Sequence, residues 1–192
     1  MKTEPIYEHL ERIANLLRTD TRRSGLSKGL QPVQLEALHY LNSCNRYSNT
    51  PAAVAEFLGL TKGTVSQTLG VLENGGYVEK KPDLKDRRVV HLELTESGRQ
   101  VVTGAIPPAT LRKAVALIPE SEQGQVVEAL NCVLRALQQA NQSRSFGVCL
   151  SCRHHCIEDD ASHRCALTGE KLMQGDIHQI CREHEAPPPS AA

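Results

Sequence analysis

The sequence contains no Trp, and aromatic residues make up only 3% of it. A core of stacked rings is therefore excluded. The 40% hydrophobic fraction has to close around Leu, Val, Ile and Ala. No apolar run approaches the roughly 20 residues needed to cross a bilayer. The first twenty residues carry Glu4, Glu8, Glu11, Arg12, Arg18 and Asp20, which leaves no room for a secretory h-region. Together these absences predict a cytoplasmic chain with no membrane contact. Charge of one sign is also missing: Lys plus Arg and Asp plus Glu each number 22. Net charge alone thus gives no pull toward nucleic acid. There is no G-x-S-x-G, no phosphate-cradling glycine loop and no H-E-x-x-H, and no Ser, His or Asp stands at a catalytic spacing. The chain is expected not to be an enzyme.

Cysteine, by contrast, is plentiful and clustered: five of the seven fall between Cys149 and Cys181. From Cys149 onward the acidic residues outnumber the basic ones by seven to four, so the tail is acidic and the remainder mildly basic. A length of 192 residues allows one ordinary domain and a small appendage.

Upstream of the cysteines the chain reads as helices, then a hairpin, then helices. Ile6, Leu10, Ile13 and Leu17 recur at helical spacing over residues 4 to 24. Pro32 opens a second helix, with Leu35, Leu38 and Leu41 inward. Residues 42–49 are a polar break. Thr50 and Pro51 start a short helix carrying Val54, Phe57 and Leu58, and Gly59-Leu60 turns the chain. Thr61 caps the next helix, on which Val65, Leu69 and Leu72 share a face. Two short helices joined by a glycine-containing turn describe a helix-turn-helix. Thr61, Lys62, Thr64, Ser66, Gln67 and Thr68 would line the outward face of its second helix, where short polar side chains meet base edges in a major groove. Two strands follow at 77–81 and 89–94, joined by Pro82-Asp83-Leu84-Lys85-Asp86-Arg87-Arg88. A basic hairpin in this place is a wing, able to reach phosphates or a narrow minor groove.

These segments resemble the MarR family of winged-helix repressors. The resemblance is carried by Leu60-Thr-Lys-Gly-Thr-Val-Ser-Gln, by Leu72-Glu-Asn-Gly-Gly-Tyr-Val78 and by the run from Asp83 to Gly98, over roughly residues 5 to 140. Asp86 and Arg88 match the family's Asp-x-Arg wing motif. The resemblance implies a homodimer, built by the first helix and the last two, on a near-palindromic double-stranded DNA operator. It also implies that Asp86 orients Arg88 and that Arg88 enters the minor groove, with Lys85 and Arg87 beside it. Thr95 and Ser121 are expected to cap the dimer helices, and Pro107-Pro108 departs from the family pattern by kinking or splitting the first of them.

The cysteines lie beyond that match. Cys149, Cys152, Cys165 and Cys181 form C-x2-C-x12-C-x15-C, and a C-x2-C knuckle points two thiolates at one centre. The spacing is similar to the high-potential iron–sulfur protein pattern and to small cluster-bearing accessory subunits of glycyl-radical enzymes. It predicts an iron–sulfur cluster of the 4Fe–4S type ahead of Zn2+, with Cys156 as an alternative ligand or redox thiol. In a reducing cytosol this reading outweighs structural disulfides. His154, His155, His163, His178 and His184 are further donors suited to zinc. Cys44 and Cys132 are expected to pack as small hydrophobes.

The expected architecture is mainly α with a small β wing (α+β): a winged helix-turn-helix and helical dimerisation region at 1–141, a linker at 142–148, a small metal-bound segment at 149–185 and a disordered end at 186–192. The expected function is a DNA-binding transcriptional repressor whose affinity is set by the metal centre, packed near the dimer helices and acting on their spacing. Two alternatives stand beside it. One is a repressor released by a small phenolic effector, with a purely structural zinc site. The other is an electron-transfer or accessory scaffold.

Overall fold

A computed structural model describes residues 3–84, 86–140 and 145–187. Four helices come first: α1 (Thr3–Leu26), α2 (Pro32–Ser43), α3 (Pro51–Leu58) and α4 (Lys62–Asn74). Strands β1 (Val78–Pro82) and β2 (Val90–Leu94) pair antiparallel, with Val78 opposite Leu94 and Lys80 opposite Leu92. Helices α5 (Glu96–Ala105), α6 (Ala109–Val115) and α7 (Glu120–Ala140) follow.

Local chemistry sets these boundaries. The Thr50 hydroxyl accepts the Ala53 N–H at 3.3 Å ahead of Pro51, and Gly59 closes α3 in the left-handed region at φ 64°. The Thr61 hydroxyl accepts the Thr64 N–H at 3.2 Å at the start of α4. The Thr95 hydroxyl accepts the Gly98 N–H at 3.1 Å and donates to the Gly76 carbonyl at 2.6 Å, which ties the wing's exit to the end of α4. Each such cap satisfies one of the N–H groups stranded at a helix start and contributes about 1 kcal/mol.

The core sits where α2, α3 and α4 meet the wing. Leu35, Leu38, Val54, Leu69, Leu72, Val78 and Leu92 are buried there. Full burial of each large aliphatic side chain contributes about 1.5–3 kcal/mol. Tyr40 is the largest side chain in this core, and its hydroxyl donates to the Ser48 carbonyl at 2.9 Å.

Pro107-Pro108 splits the chain between α5 and α6, and α6 is a short helix that periodicity alone did not reveal. Helix α7 begins at Glu120 rather than after Ser121. The Pro119 carbonyl accepts the N–H groups of Glu122 and Gln123 at 2.8 and 3.2 Å, which places Ser121 inside the first turn. In the single chain, α1 and α7 keep large apolar side chains in solvent, among them Ile13, Leu16, Leu130, Leu134 and Leu137. Cys132, expected to pack, is exposed on α7, whereas Cys44 is buried as expected.

The cysteine-rich segment holds a single 3-10 turn at Cys149–Ser151, an antiparallel sheet of β3 (His155–Ile157), β4 (His163–Cys165) and β5 (Lys171–Leu172), and a second 3-10 turn at Asp176–His178. Its own buried apolar residues are Cys149, Leu172 and Ile177, and Tyr47 from the α2–α3 loop packs against them. So few residues cannot hold a fold unaided, and the segment is docked on the winged helix. The Ile180 backbone donates to the Ser43 carbonyl at 2.8 Å and accepts the Asn45 N–H at 2.9 Å. Phe146 stacks edge-on to Phe57 with ring centres 5.3 Å apart. Residues 145–148 of the expected linker are therefore held in place; its earlier part and the end of the expected disordered tail lie outside the described residues.

Candidate functional site

Two sites emerge, and one loop joins them. The first is the outward face of α4 with the wing. Lys62, Thr64, Ser66 and Gln67 are exposed along α4, and Thr61 stands exposed at its cap. Thr68 is not on this face. It is 8% exposed, and its hydroxyl donates back to the Thr64 carbonyl at 2.9 Å. Three residues after Val65 and four before Leu72, it shares their buried face, a placement its polarity concealed.

The wing carries the best-defined polar geometry. Asp86 accepts from three groups of Arg88: the backbone N–H at 3.0 Å, Nε at 2.9 and 3.2 Å to its two oxygens, and Nη2 at 2.8 Å. This bidentate grip fixes the guanidinium plane while its side chain stays 90% exposed. The hydrogen bonds from Arg88 hold the Asp86 carboxyl below its ordinary range. Arg87 is exposed beside it in the turn. Lys80 and Lys81 are committed to Glu73 and Glu93, each at 2.5 Å. Lys85 lies outside the described residues.

The second site is a small pocket, partly open to solvent, lined by Cys149, Cys152, Cys165 and Cys181 with His154 and His155. Cys156 is not among its walls. On β3 it stands opposite Arg164 and points to solvent. Two N–H groups already face the sulfurs. Asn45 Nδ2 donates to Cys149 Sγ at 3.4 Å, and the Glu185 backbone donates to Cys152 Sγ at 3.5 Å. Cys149 and Cys181 are free thiols close enough to share a hydrogen bond. That bond, then burial, drives the Cys149 thiol upward, and the same bond lowers Cys181 to about 6. Burial drives Cys44 up to about 12, which makes it an inert thiol.

His154 adds an orphaned atom. Its Nε2 is buried without a hydrogen-bond partner; the Glu185 carboxylate lies 3.3 Å away, an ion-pair distance without hydrogen-bonding alignment. As the side chains stand, no three His, Cys, Asp or Glu among the described residues converge closely enough to hold a metal ion. His184 is occupied elsewhere, between the hydroxyls of Ser145 and Ser151. His155 stacks on His163 with Nε2 and Nδ1 2.9 Å apart.

Residues 42–49 are a polar break by sequence; Asn42 and Ser43 belong to α2, and the loop at 44–49 is the element that spacing does not reveal. Asn45 and Ser48 are 0% and 1% exposed. Ser48 Oγ accepts the Arg182 N–H at 2.8 Å, and the Arg182 guanidinium forks onto the Glu56 carboxylate of α3 at 2.7 and 2.5 Å. Tyr47 donates to Glu170 at 2.6 Å. The expectation that the cysteine centre packs near the dimer helices is thus corrected. It packs against this loop because the loop supplies the buried polar partners and the apolar wall that the small segment lacks.

The MarR family profile matches residues 28–89. The transcriptional repressor MprA of Escherichia coli is 26% identical over 118 residues, which cover 60% of this chain and 67% of MprA. Among solved structures, Streptococcus pneumoniae FabT in complex with DNA aligns with a TM-score of 0.58 at 26% identity, over 72% of this chain and 99% of FabT. The S. aureus MepR–DNA complex aligns with a TM-score of 0.54 at 25% identity, over 68% of this chain and 97% of MepR. The two structural matches take in almost all of FabT and MepR and leave more than a quarter of this chain outside. Among the described residues, no helix is long and apolar enough to cross a membrane. Profile, fold and wing point the same way: residues 28–89 match the MarR family model, and the winged helix they form is similar to that of FabT.

Proposed function

We propose that the chain is a DNA-binding transcriptional regulator, a repressor, whose DNA affinity is modulated by a metal centre in its cysteine-rich segment. The observation that carries the first half is the Asp86–Arg88 grip, which holds a cation clear of the protein beside an exposed polar helix face. Lys62, Thr64, Ser66 and Gln67 meet base edges in the major groove, and Arg88 with Arg87 reaches the minor groove or its phosphates. FabT and MepR, which share the fold, have been solved with DNA. The protein acts as a homodimer on a near-palindromic duplex. In support, α1 and α7 carry bare Ile13, Leu16, Leu130, Leu134 and Leu137, an apolar surface that a second copy would cover.

The second half rests on the cavity. Four thiols, two N–H···S donors and an orphaned imidazole nitrogen suit a thiolate-held cation, either a 4Fe–4S cluster or Zn2+. Cys149, Cys152, Cys165 and Cys181 would hold it. When bound, a cluster supplies a centre sensitive to oxidation, and zinc supplies a closed structural staple. Asn45 and the Glu185 backbone orient the sulfurs in either case.

The test has two arms. Anaerobically purified protein is assayed for absorbance near 400 nm, iron, sulfide and zinc. Anisotropy on a duplex recovered by the protein from a random pool then compares wild type with Arg88→Ala. Loss of affinity in Arg88→Ala is expected; an unchanged value would assign the module to protein scaffolding instead.

A further inference from the structure

We propose that the cysteine cavity is coupled to the DNA-reading wing within one chain, through the loop at 44–49. This rests on the reading that the cavity holds a metal centre and the wing meets DNA, and it names how the first regulates the second.

The loop is gripped from both sides. On the cavity side, Asn45 Nδ2 donates to Cys149 Sγ, and the Asn45 N–H donates to the Ile180 carbonyl, adjacent to Cys181. Ser48 Oγ accepts the Arg182 N–H on the other flank of Cys181. On the wing side, the Asn49 carbonyl accepts the Leu92 N–H at 2.7 Å, and Asn49 Oδ1 meets His91 Nδ1 at 2.6 Å. His91 Nε2 reaches Asp83 Oδ2 at 3.1 Å, and Asp83 Oδ1 accepts the Asp86 N–H at 2.7 Å. Asp86 in turn grips Arg88. The two sides cannot move independently, because the Ser48 N–H closes a turn on the Asn45 carbonyl at 3.0 Å.

Burial makes the connection stiff. Asn45 and Ser48 are sealed from solvent, so neither can exchange its protein partner for water without leaving an unsatisfied polar group. Cys149 and Cys181 are two of the four residues that would hold the cation. Both grips on the loop flank those two cysteines, so loading acts on Asn45 and Ser48 together. Toward the dimer helices the segment is linked by Gln138 of α7, which donates to the Ser145 carbonyl. That contact defines the competing route.

Hydrogen exchange on metal-free protein and on protein loaded with Zn2+, or with ferrous iron and sulfide under anaerobic conditions, tests this directly. Loading is expected to slow exchange at the Asn45 and Leu92 amides, which donate into and out of the loop. A change confined to α1 and α7 would overturn the route. Asn49→Ala gives the second test, since it removes the His91 contact and keeps the backbone bond to Leu92. Metal content should match wild type. The selected duplex should show about a 5- to 150-fold affinity difference between loaded and metal-free wild type, the usual range of linkage between sites, and a difference within about twofold in Asn49→Ala. A full response in Asn49→Ala overturns the loop route alone. No response in wild type overturns the metal-linked regulation on which it rests.

Discussion

Gly147 is the point at which a single added methyl group should unseat the cysteine segment. A Cβ built there would lie 2.6 Å from Cε1 and Nε2 of His184 and 2.7 Å from its Nδ1. Carbon contacts settle near about 3.5–4.0 Å, so something must shift by about 1 Å. The imidazole cannot yield cheaply. It is 7% exposed, and its two nitrogens are held by the hydroxyls of Ser145 and Ser151. If the backbone yields instead, the Cys181 N–H loses the Gly147 carbonyl, now 2.9 Å away. Overpacking of this kind costs about 1–3 kcal/mol, and a lost buried hydrogen bond adds a comparable amount. Gly147→Ala should therefore lower the urea midpoint followed by far-UV circular dichroism and open residues 145–150 to limited proteolysis. Gly70→Ala is the control. No atom outside its own helix stands within 4 Å of a Cβ on α4, and Ala in place of Gly favours a helix by about 1 kcal/mol. A Gly147→Ala protein with wild-type midpoint and protease resistance would refute the docking reasoning. Equal destabilisation by Gly70→Ala would show that the contrast between the two sites is mistaken.

Further outcomes follow from the same geometry. Arg88→Ala should weaken duplex binding by about 5- to 150-fold, as for loss of a groove contact, with the urea midpoint unchanged because the Asp86–Arg88 pair is exposed. Asp86→Asn should weaken binding less, since it loosens the guanidinium without removing it, and anisotropy titrations rank the two. Cys149→Ser should abolish metal uptake measured by elemental analysis, whereas Cys156→Ser should leave it intact, because Cys156 faces solvent outside the cavity. Burial lowers the His184 pKa from its ordinary 6.5, so the folded chain binds fewer protons there than the unfolded one. The stability this contributes is complete above 6.5 and declines as pH falls below it, so wild type should lose more stability between pH 7.5 and 5.5 than His184→Gln.

The winged helix was legible because its signals are local. Thr50-Pro51, Gly59, Thr61 and Thr95 act within four residues of themselves, and the structure puts a cap or a turn at each. Arg88 and Asp86 are likewise two residues apart, and their pairing needs no distant partner. Thr68 shows the limit: polarity suggested solvent, but its helical phase with Val65 and Leu72 buries it. Proline chemistry foretold the break at Pro107-Pro108 but not α6 beyond it. The docking of the tail was hidden for a different reason. Asn45 and Cys149 are 104 positions apart, and Glu56 and Arg182 are 126 apart. No periodicity or spacing rule spans such intervals. A polar run from Asn42 to Asn49 reads as solvent-loving until its partners are known. The aromatic Tyr47 in that run was the one faint signal, since a large ring amid small polar residues needs a surface to cover.

Translation order gives the buried loop a consequence of its own. The winged helix is complete in sequence once Leu94 has been made, yet Asn45 and Ser48 find their partners in residues 149–182. A nascent chain with every DNA-facing residue in place therefore still lacks the native partners of the Asn45 amide nitrogen and the Ser48 hydroxyl, although Asn45 Oδ1 already accepts the Tyr47 N–H. They are satisfied only when the cysteines emerge from the ribosome and fold back. A later segment finishes an earlier one, so a chain cut short before its thiols carries the reading head in an unfinished state.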